Sequence, residues 1–261
     1  MSSEFLMPIS LRRTHRITVL HPRRLFFRSE QTYENSHKLE VSFDDGPYYY
    51  SYDISKALIA AGGRGTFFLN GNNYNTKRVK YLYDKGHQIA SHTWSHANLS
   101  TLSWDQVHDE MWRVELAMQK IAGVVPAVMR PPYGEYNGKY LQFKIYYFIK
   151  LSYPYLDNVK NVAGARGQSI AMWDFDNQDS LGASPAQSKQ LYDEAIAKRP
   201  STILALNHEV HEGTAHEVVP YAIQKLAAAG YKLVTLSECL GDKPAYQSVG
   251  KPSPRDDSWH C

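Results

Sequence analysis

Short apolar runs rich in β-branched and aromatic residues alternate along this chain with stretches whose apolar positions recur at helical spacing. The runs at 39–43, 65–69, 87–91, 127–130, 168–173, 201–206 and 232–236 predict strands. The intervening stretches 54–61, 77–85, 103–121, 185–198 and 217–229 predict amphipathic helices. Ser103 with Gln106 makes a capping box for the third helix, and Gly62 and Gly230 stand where a left-handed residue closes a helix. Regular alternation of this kind predicts an α/β fold with a parallel sheet, most simply a distorted (β/α) barrel of about seven parallel strands. With 261 residues, 43% of them hydrophobic, the chain is long enough for one sizeable core and is expected to form one domain. No internal repeat is visible.

Polar clusters follow these strands. Asp44 and Asp45, within Ser42-Phe43-Asp44-Asp45-Gly46-Pro47, come after the first strand, and His92 and His96 after the third. Arg130 follows the fourth, Asp176 and Asp179 the fifth, and His208 the sixth. Barrels of this kind collect their chemistry at the C-terminal ends of the strands. Adjacent aspartates repel each other, so a site that keeps both charged needs a cation or an arginine close by. The imidazoles of His92 and His96, four residues apart, face one point if the segment turns helically. Two histidines and a carboxylate suit a catalytic zinc with an open position. They also suit non-haem iron, but that leaves the second aspartate and His208 without a task. The H-E-x-x-H zincin pattern is absent, because Thr93 occupies the glutamate position.

Charge narrows the partners. The net charge of +3 is concentrated in Arg12, Arg13, Arg16, Arg23, Arg24 and Arg28, and the remainder is nearly balanced, which argues against a nucleic-acid-binding surface on the folded body. Residues 1–38 read as a basic leader, disordered or misassigned, with a transit peptide as the alternative; no secretory hydrophobic region interrupts it. No stretch is apolar enough to predict a membrane span. Cys239 and Cys261 are the two cysteines, too few for a disulfide framework or a cysteine-rich zinc module, although they can pair with each other.

The motifs resemble those of the polysaccharide deacetylases, the NodB-homology group or carbohydrate esterase family four, with the surrounding sequence most similar to fungal chitin deacetylases. The likeness runs from about Leu39 to Cys261 and includes Tyr246-Gln247-Ser248-Val249-Gly250. It implies that Asp44 is the general base and that Asp45, His92 and His96 hold one divalent metal, Zn2+ first, with Co2+ or Ni2+ as alternatives. Arg130-Pro131-Pro132-Tyr133 matches the third family motif, so the resemblance implies that Arg130 holds Asp44 and that the Tyr133 backbone N–H contacts the oxyanion. Asp176-Asn177-Gln178-Asp179 matches the fourth, with Asp179 orienting the acid. Leu206-Asn207-His208 matches the fifth, which makes His208 the general acid and Leu206 a wall of the acetyl pocket. Ser180 stands where the family often has tryptophan, which changes one wall of the groove. His87, His108, His211 and His216 have no motif and are expected to be structural or surface residues. Trp94 and Trp173 are either sugar platforms or buried packing.

The resemblance implies hydrolysis of N-acetyl groups of chitin or its oligomers by a monomer that is secreted or in the cell wall. Two alternatives are an O-acetyl esterase acting on acetylated xylan and a catalytically silent carbohydrate-binding protein; the complete set of acid, base and ligands argues against the second. The domain is expected at 39–241, followed by a tail at 242–261, and is interrupted at 138–156. That segment is rich in Tyr, Phe, Ile, Leu and Lys, contains Lys144 and Lys150, and is either a glycan-binding flap or a retained intron. Gly138-Lys139-Tyr140 is compatible with a codon run containing the splice donor GTAAGT, and Leu156-Asp157 with a CTAG acceptor. The intron reading predicts that joining Asn137 to Asp157 raises soluble yield and preserves acetate release, because exposed apolar insertions promote aggregation. A flap predicts weaker glycan binding after the deletion, and a mature transcript that always keeps the segment would overturn the intron reading.

Overall fold

The computed structural model describes residues 37–73, 75–134 and 158–256. Residues 1–36 of the leader, the segment 138–156 and Cys261 lie outside them, whereas Lys38, expected to end the leader, already opens the first strand. Ten strands and seven α-helices carry the described fold: β1 Lys38–Gly46, α1 Ser51–Ala60, β2 Thr66–Leu69, α2 Thr76–Asp84, β3 Gln88–Ser91, α3 Trp104–Ala122, β4 Val124–Pro126, β5 Val128–Met129, α4 Asn158–Ala165, β6 Ser169–Ile170, β7 Phe175–Asp176, α5 Pro185–Ala197, β8 Thr202–His208, α6 Val219–Ala228, β9 Lys232–Val234, α7 Leu236–Cys239 and β10 Tyr246–Val249.

The main sheet runs in the order β6-β5-β3-β2-β1-β8-β7, and every neighbouring pair is parallel. β9 adds to the first half of β1, at Lys38, Leu39 and Glu40. This is the curled, parallel half-barrel that the alternating pattern predicts. β1 lies at its centre, and its side chains alternate between two faces. Leu39, Val41 and Phe43 are buried with Ile54 and Leu58 of α1 and Ile223 and Leu226 of α6 in the largest apolar cluster. Glu40, Ser42 and Asp44 take the opposite, inward face and are also buried.

The inward space is closed below by α7. Its Leu236 N–H donates to Thr66 Oγ1 at 2.8 Å and its Ser237 N–H to Gln88 Oε1 at 2.9 Å, tying the helix to the residues that open β2 and β3. Leu236 and Leu240 pack there with Phe68, Ala90, Val128 and Ala171. On the other side, the chain crosses from one sheet edge to the other between β6 and β7. Ala171 N–H donates to Met129 O at 2.8 Å, and Asp174 N–H to Leu204 O at 3.1 Å. This crossing shortens the strand expected at 168–173 to Ser169–Ile170 and creates β7, which the apolar pattern did not announce.

The helices start and stop as their sequence signals require. Ser103 and Gln106 form the reciprocal capping box of α3, and Ser184 with Gln187 forms another on α5. Gly62 and Gly230 take left-handed φ values of 73° and 86° just after α1 and α6. Helix α4, absent from the expected set, packs Val159, Val162 and Ala163 against Val107 and Met111 of α3. Cys239 is buried and has no disulfide partner among the described residues, which do not include Cys261, and burial pushes its thiol up to about 12. Among the described residues no helix is long and apolar enough to cross a membrane.

The tail returns to the body. β10 pairs antiparallel with β4, Ile89 N–H donates to the Tyr246 hydroxyl at 3.2 Å, and Gly250 N–H donates to Gly123 O at 2.7 Å. Gly123 closes α3 at φ 77°, and a Cβ built there would stand 2.4 Å from Gly250 O. Gly123→Ala is therefore expected to destabilise the protein by at least about 1–2 kcal/mol, the cost of the left-handed conformation alone, and to loosen the tail. Denaturant unfolding and limited proteolysis near residue 250 measure both effects; an unchanged midpoint with an intact tail would contradict this account.

Candidate active site

The C-terminal ends of β1, β3, β5 and β8 converge on one polar cluster. In a regular strand, Asp44 and Asp45 would point to opposite faces. Here the β1 register is interrupted between Phe43 and Gly46, and Asp45 takes a left-handed φ of 68°. The irregularity re-aims the second carboxylate, so both aspartates serve the same site. Asp44 remains on the inward face in register with His208 of β8.

His92 and His96 meet without a helix. Thr93 and His96 have left-handed φ values of 69° and 56°, and the segment folds back so that the two rings lie 5.0 Å apart between centroids. The helical turn expected for this pair is not formed, although the pair does converge. His92 is buried, and its Nδ1 lies 2.8 Å from the Arg130 carbonyl. A carbonyl only accepts, so Nδ1 carries the proton and Nε2 presents its lone pair to the site. That Nε2 is 3.4 Å from Asp45 Oδ1, and His96 Nε2 is 3.2 Å from the same oxygen.

One donor atom from each of Asp45, His92 and His96 therefore lies within 4.8 Å of the other two. Asp45 Oδ1 is buried without a hydrogen-bond partner. A bare imidazole nitrogen facing a carboxylate oxygen is repulsive unless a cation lies between them, so the three residues fit a divalent metal. Burial opposes charge on Asp45, but with protons on the His92 and His96 nitrogens where the metal would bind, hydrogen bonds from the two rings outweigh burial and hold its carboxyl well below the usual range.

Arg130 is fully buried behind the cluster. Its Nη1 donates to Asp44 Oδ1 at 2.8 Å and to Ser42 Oγ at 2.7 Å, and its guanidinium lies 4.0 Å from the centroid of the Phe68 ring. On the other flank of Asp44, His208 Nδ1 lies 2.6 Å from Asp179 Oδ1. Asp179 Oδ2 accepts from His208 N–H and from Thr214 Oγ1, both at 2.8 Å, and from Asn177 Nδ2 at 3.2 Å. Burial disfavours the charged His208 ring, yet the hydrogen bond and charge of Asp179, with Asp44 and Asp45 adding to them, raise it to about 9. Leu206 is buried on the inward face of β8 in register with Ser42 of β1 and Asp176 of β7. Tyr133, at φ 59°, is 54% exposed and sets its ring edge-on to His96 at 4.7 Å.

All nine residues singled out from the sequence thus lie around one cleft. The family model for polysaccharide deacetylases matches residues 32–146. A chitin deacetylase from a Pestalotiopsis species is 33% identical over 223 residues, covering 80% of this chain and 66% of the relative. The chain belongs to the polysaccharide deacetylase family. Its fold also matches two solved structures: a chitin deacetylase from the fungal pathogen Colletotrichum lindemuthianum (TM-score 0.68, 25% identity, 81% of this chain and 92% of that one) and a family 4 carbohydrate esterase from Streptomyces lividans in complex with acetate (TM-score 0.63, 26% identity, 76% and 91%).

Several polar residues of this deacetylase site were not singled out from the sequence. Asn73 Nδ2 donates to the carbonyls of Asp45 and Gly46 at 2.6 and 3.0 Å, and Thr214 helps to hold Asp179. Asn73 ends a short 3-10 turn and Thr214 opens a short π-helical turn, and no periodicity points to either. Ser42 was legible in principle, since it stands two residues before Asp44 on the same strand face. His87 is buried between Ser55 and Gly65, and burial lowers it to about 4; His108 contacts Arg166, His216 contacts Asp53, and His211 is exposed beside His208. Trp94 is partly buried against the main apolar cluster, with Gly71 against its ring and the Arg113 guanidinium 4.1 Å over it. Trp173 lies partly exposed against Gly134.

The raised His208 value carries a testable sign. The protonated ring is favoured in the fold, so its contribution to stability is complete below the unfolded histidine value of about 6.5 and is lost as pH rises through about 9. Asp179→Asn removes the main opponent of burial and leaves only the charges of Asp44 and Asp45 to favour the protonated ring. In metal-free protein, NMR should show the His208 midpoint near 9 in the parent and clearly lowered in Asp179→Asn. The pH dependence of stability across that window should flatten accordingly.

Proposed function

We propose that this protein is a metal-dependent deacetylase that hydrolyses the N-acetyl groups of chitin or its oligomers, releasing acetate. One observation carries the reading: the Asp45, His92 and His96 donors lie on one side of Asp44, and the His208–Asp179 pair lies on the other. That fungal relatives are chitin deacetylases supports the choice of chitin. The catalytic domain is taken as 39–241, with 138–156 an insertion in it.

Asp45, His92 and His96 would hold the metal, most readily Zn2+. When bound, a divalent ion of this kind lowers the pKa of water and polarises a carbonyl. Asp44, steadied by Arg130 and Ser42, takes the proton of the attacking water. The water oxygen adds to the acetamide carbon, and the negative charge that develops on the carbonyl oxygen is met by the Tyr133 backbone N–H. Leu206 bounds the space for the acetyl methyl group. His208 gives its proton to the nitrogen as the C–N bond breaks, and Asp179 keeps the ring in the tautomer and charge state that allow this. Acetate and a free amine result.

Asp44→Asn and His208→Ala are expected to lower turnover by about 10²–10⁴-fold while bound zinc remains stoichiometric. His92→Ala and His96→Ala are expected to lose the metal. Acetate release from chitin oligomers, measured beside acetylated xylan, separates the N-deacetylase from an O-acetyl esterase, and release from neither substrate by zinc-loaded protein would leave only a carbohydrate-binding role.

A further inference from the structure

An acid that no motif names lies directly beneath the turn carrying Asp45. Glu209 follows His208 at the end of β8 and is fully buried, with neither carboxyl oxygen in a hydrogen bond of normal geometry. Its Oε1 fills the place that a side chain at position 46 would need: a Cβ built on Gly46 stands 1.3 Å from Glu209 Oε1 and 2.9 Å from Leu69 Cδ2. Gly46 is not among the residues with positive φ, so backbone freedom does not explain the glycine there. The close approach of Glu209 does. Because Glu209 is buried, its carboxyl cannot swing into solvent to admit a larger residue.

The same acid links both flanks of the cleft. Its backbone N–H donates to Asp44 O at 3.2 Å, and its backbone continues from the strand end that carries His208. Asn73 Nδ2 bonds the carbonyls of Asp45 and Gly46. The Asp45-Gly46 turn is thereby held between Asn73 and the Glu209 carboxyl. Asp45 needs such support, since its left-handed backbone is disfavoured unless surrounding contacts determine it.

We propose that Glu209 is a positioning residue that sets the metal-ligand geometry by filling the space against Gly46, which fixes Asp45 Oδ1 relative to His92 and His96. This rests on the reading that those three residues hold a divalent metal. The mechanism is steric, so the shape of the side chain matters more than its charge. Glu209→Gln preserves the fit, whereas Glu209→Ala leaves a void into which the turn relaxes.

The test measures zinc affinity of the full-length protein by chelator competition, with thermal unfolding of the metal-free protein as a separate readout. Glu209→Ala should weaken zinc binding by about 10–100-fold, the range typical of groups that orient metal ligands, and Glu209→Gln should restore it to within about threefold of the parent, well inside that range. Gly46→Ala should weaken binding at least as much, and its penalty should shrink in the Glu209→Ala background, where the added methyl group has room. Three results would overturn the proposal: parental zinc affinity in Glu209→Ala with only the unfolding temperature lowered, Glu209→Gln as impaired as Glu209→Ala, or no coupling between the two sites. Should Glu209→Ala fail to fold, Gly46→Ala beside Glu209→Gln decides, and parental affinity in Gly46→Ala refutes the proposal. Failure of the metal reading itself looks different: His92→Ala and His96→Ala would then retain stoichiometric zinc.

Discussion

The buried contact between Arg130 and Asp44 ties the scaffold to the chemistry. A fully buried guanidinium is tolerable only when its charge is paired and its N–H groups are satisfied. Nη1 reaches Asp44 and Ser42 on β1, while Nε and Nη2 point to the Ala171 and Met172 carbonyls at 3.4 and 3.5 Å. Those last two residues belong to the crossing that joins the edges of the sheet. One side chain thus braces the central strand against the seam of the half-barrel, and removing either partner of such a buried pair typically costs about 3–5 kcal/mol. The backbone of the same residue accepts the His92 Nδ1 proton. Arg130 therefore orients the proposed base through its side chain and a proposed metal ligand through its carbonyl, and movement of one disturbs the other.

The rest of the cleft is assembled from backbone conformations that side chains ordinarily avoid. Asp45, Thr93, His96, Tyr133 and Gln178 all have positive φ without being glycine. Each stands at or just beyond the end of a strand, where the chain must leave the sheet while still sending a side chain or an N–H inward. Residues in such conformations typically cost of the order of 1–3 kcal/mol each and persist only where neighbouring contacts determine them. Here the contacts are identifiable: Asn73 on the Asp45 turn, Asn70 Nδ2 on the His92 carbonyl at 2.6 Å, and Asp176 Oδ1 accepting from Gln178 N–H at 2.7 Å. Asparagine and aspartate side chains bonded to backbone therefore hold these turns in place.

Much of this was legible from residue order alone. Short runs rich in Val, Ile and Phe, set against helical repeats, located most of the parallel strands and the major helices, because a short apolar run suits a strand buried on both faces whereas a helix needs one apolar stripe. Position at strand ends, joined to residue type, gathered Asp44, Asp45, His92, His96, Arg130, Asp179 and His208 into one site. Three of the features that escaped show why. The two-residue strand β7 has too little apolar length to register, and exists because the seam delivers it beside β8. The His92–His96 pair converges through two left-handed residues, a conformation that neither Thr93 nor His96 signals by type. Glu209 is marked by no motif, and its burial follows only from the meeting of β1 and β8, a contact between segments more than 160 residues apart.

The two flanks of Asp44 also explain how one cleft keeps an acid and a base apart in protonation. Asp44 and His208 are register partners on adjacent parallel strands, about 5 Å apart at the backbone. Left to themselves at that spacing, a carboxylate and an imidazolium would exchange a proton or simply pair. The structure gives each a nearer partner: Arg130 for Asp44, and Asp179 at 2.6 Å for His208. The Asp179 hydrogen bond and charge outweigh burial and keep the His208 ring protonated ahead of the reaction. An amine needs that proton in order to leave, whereas an alkoxide of lower basicity depends on it less. The strength of the His208–Asp179 pair is thus better matched to breaking an amide than an ester.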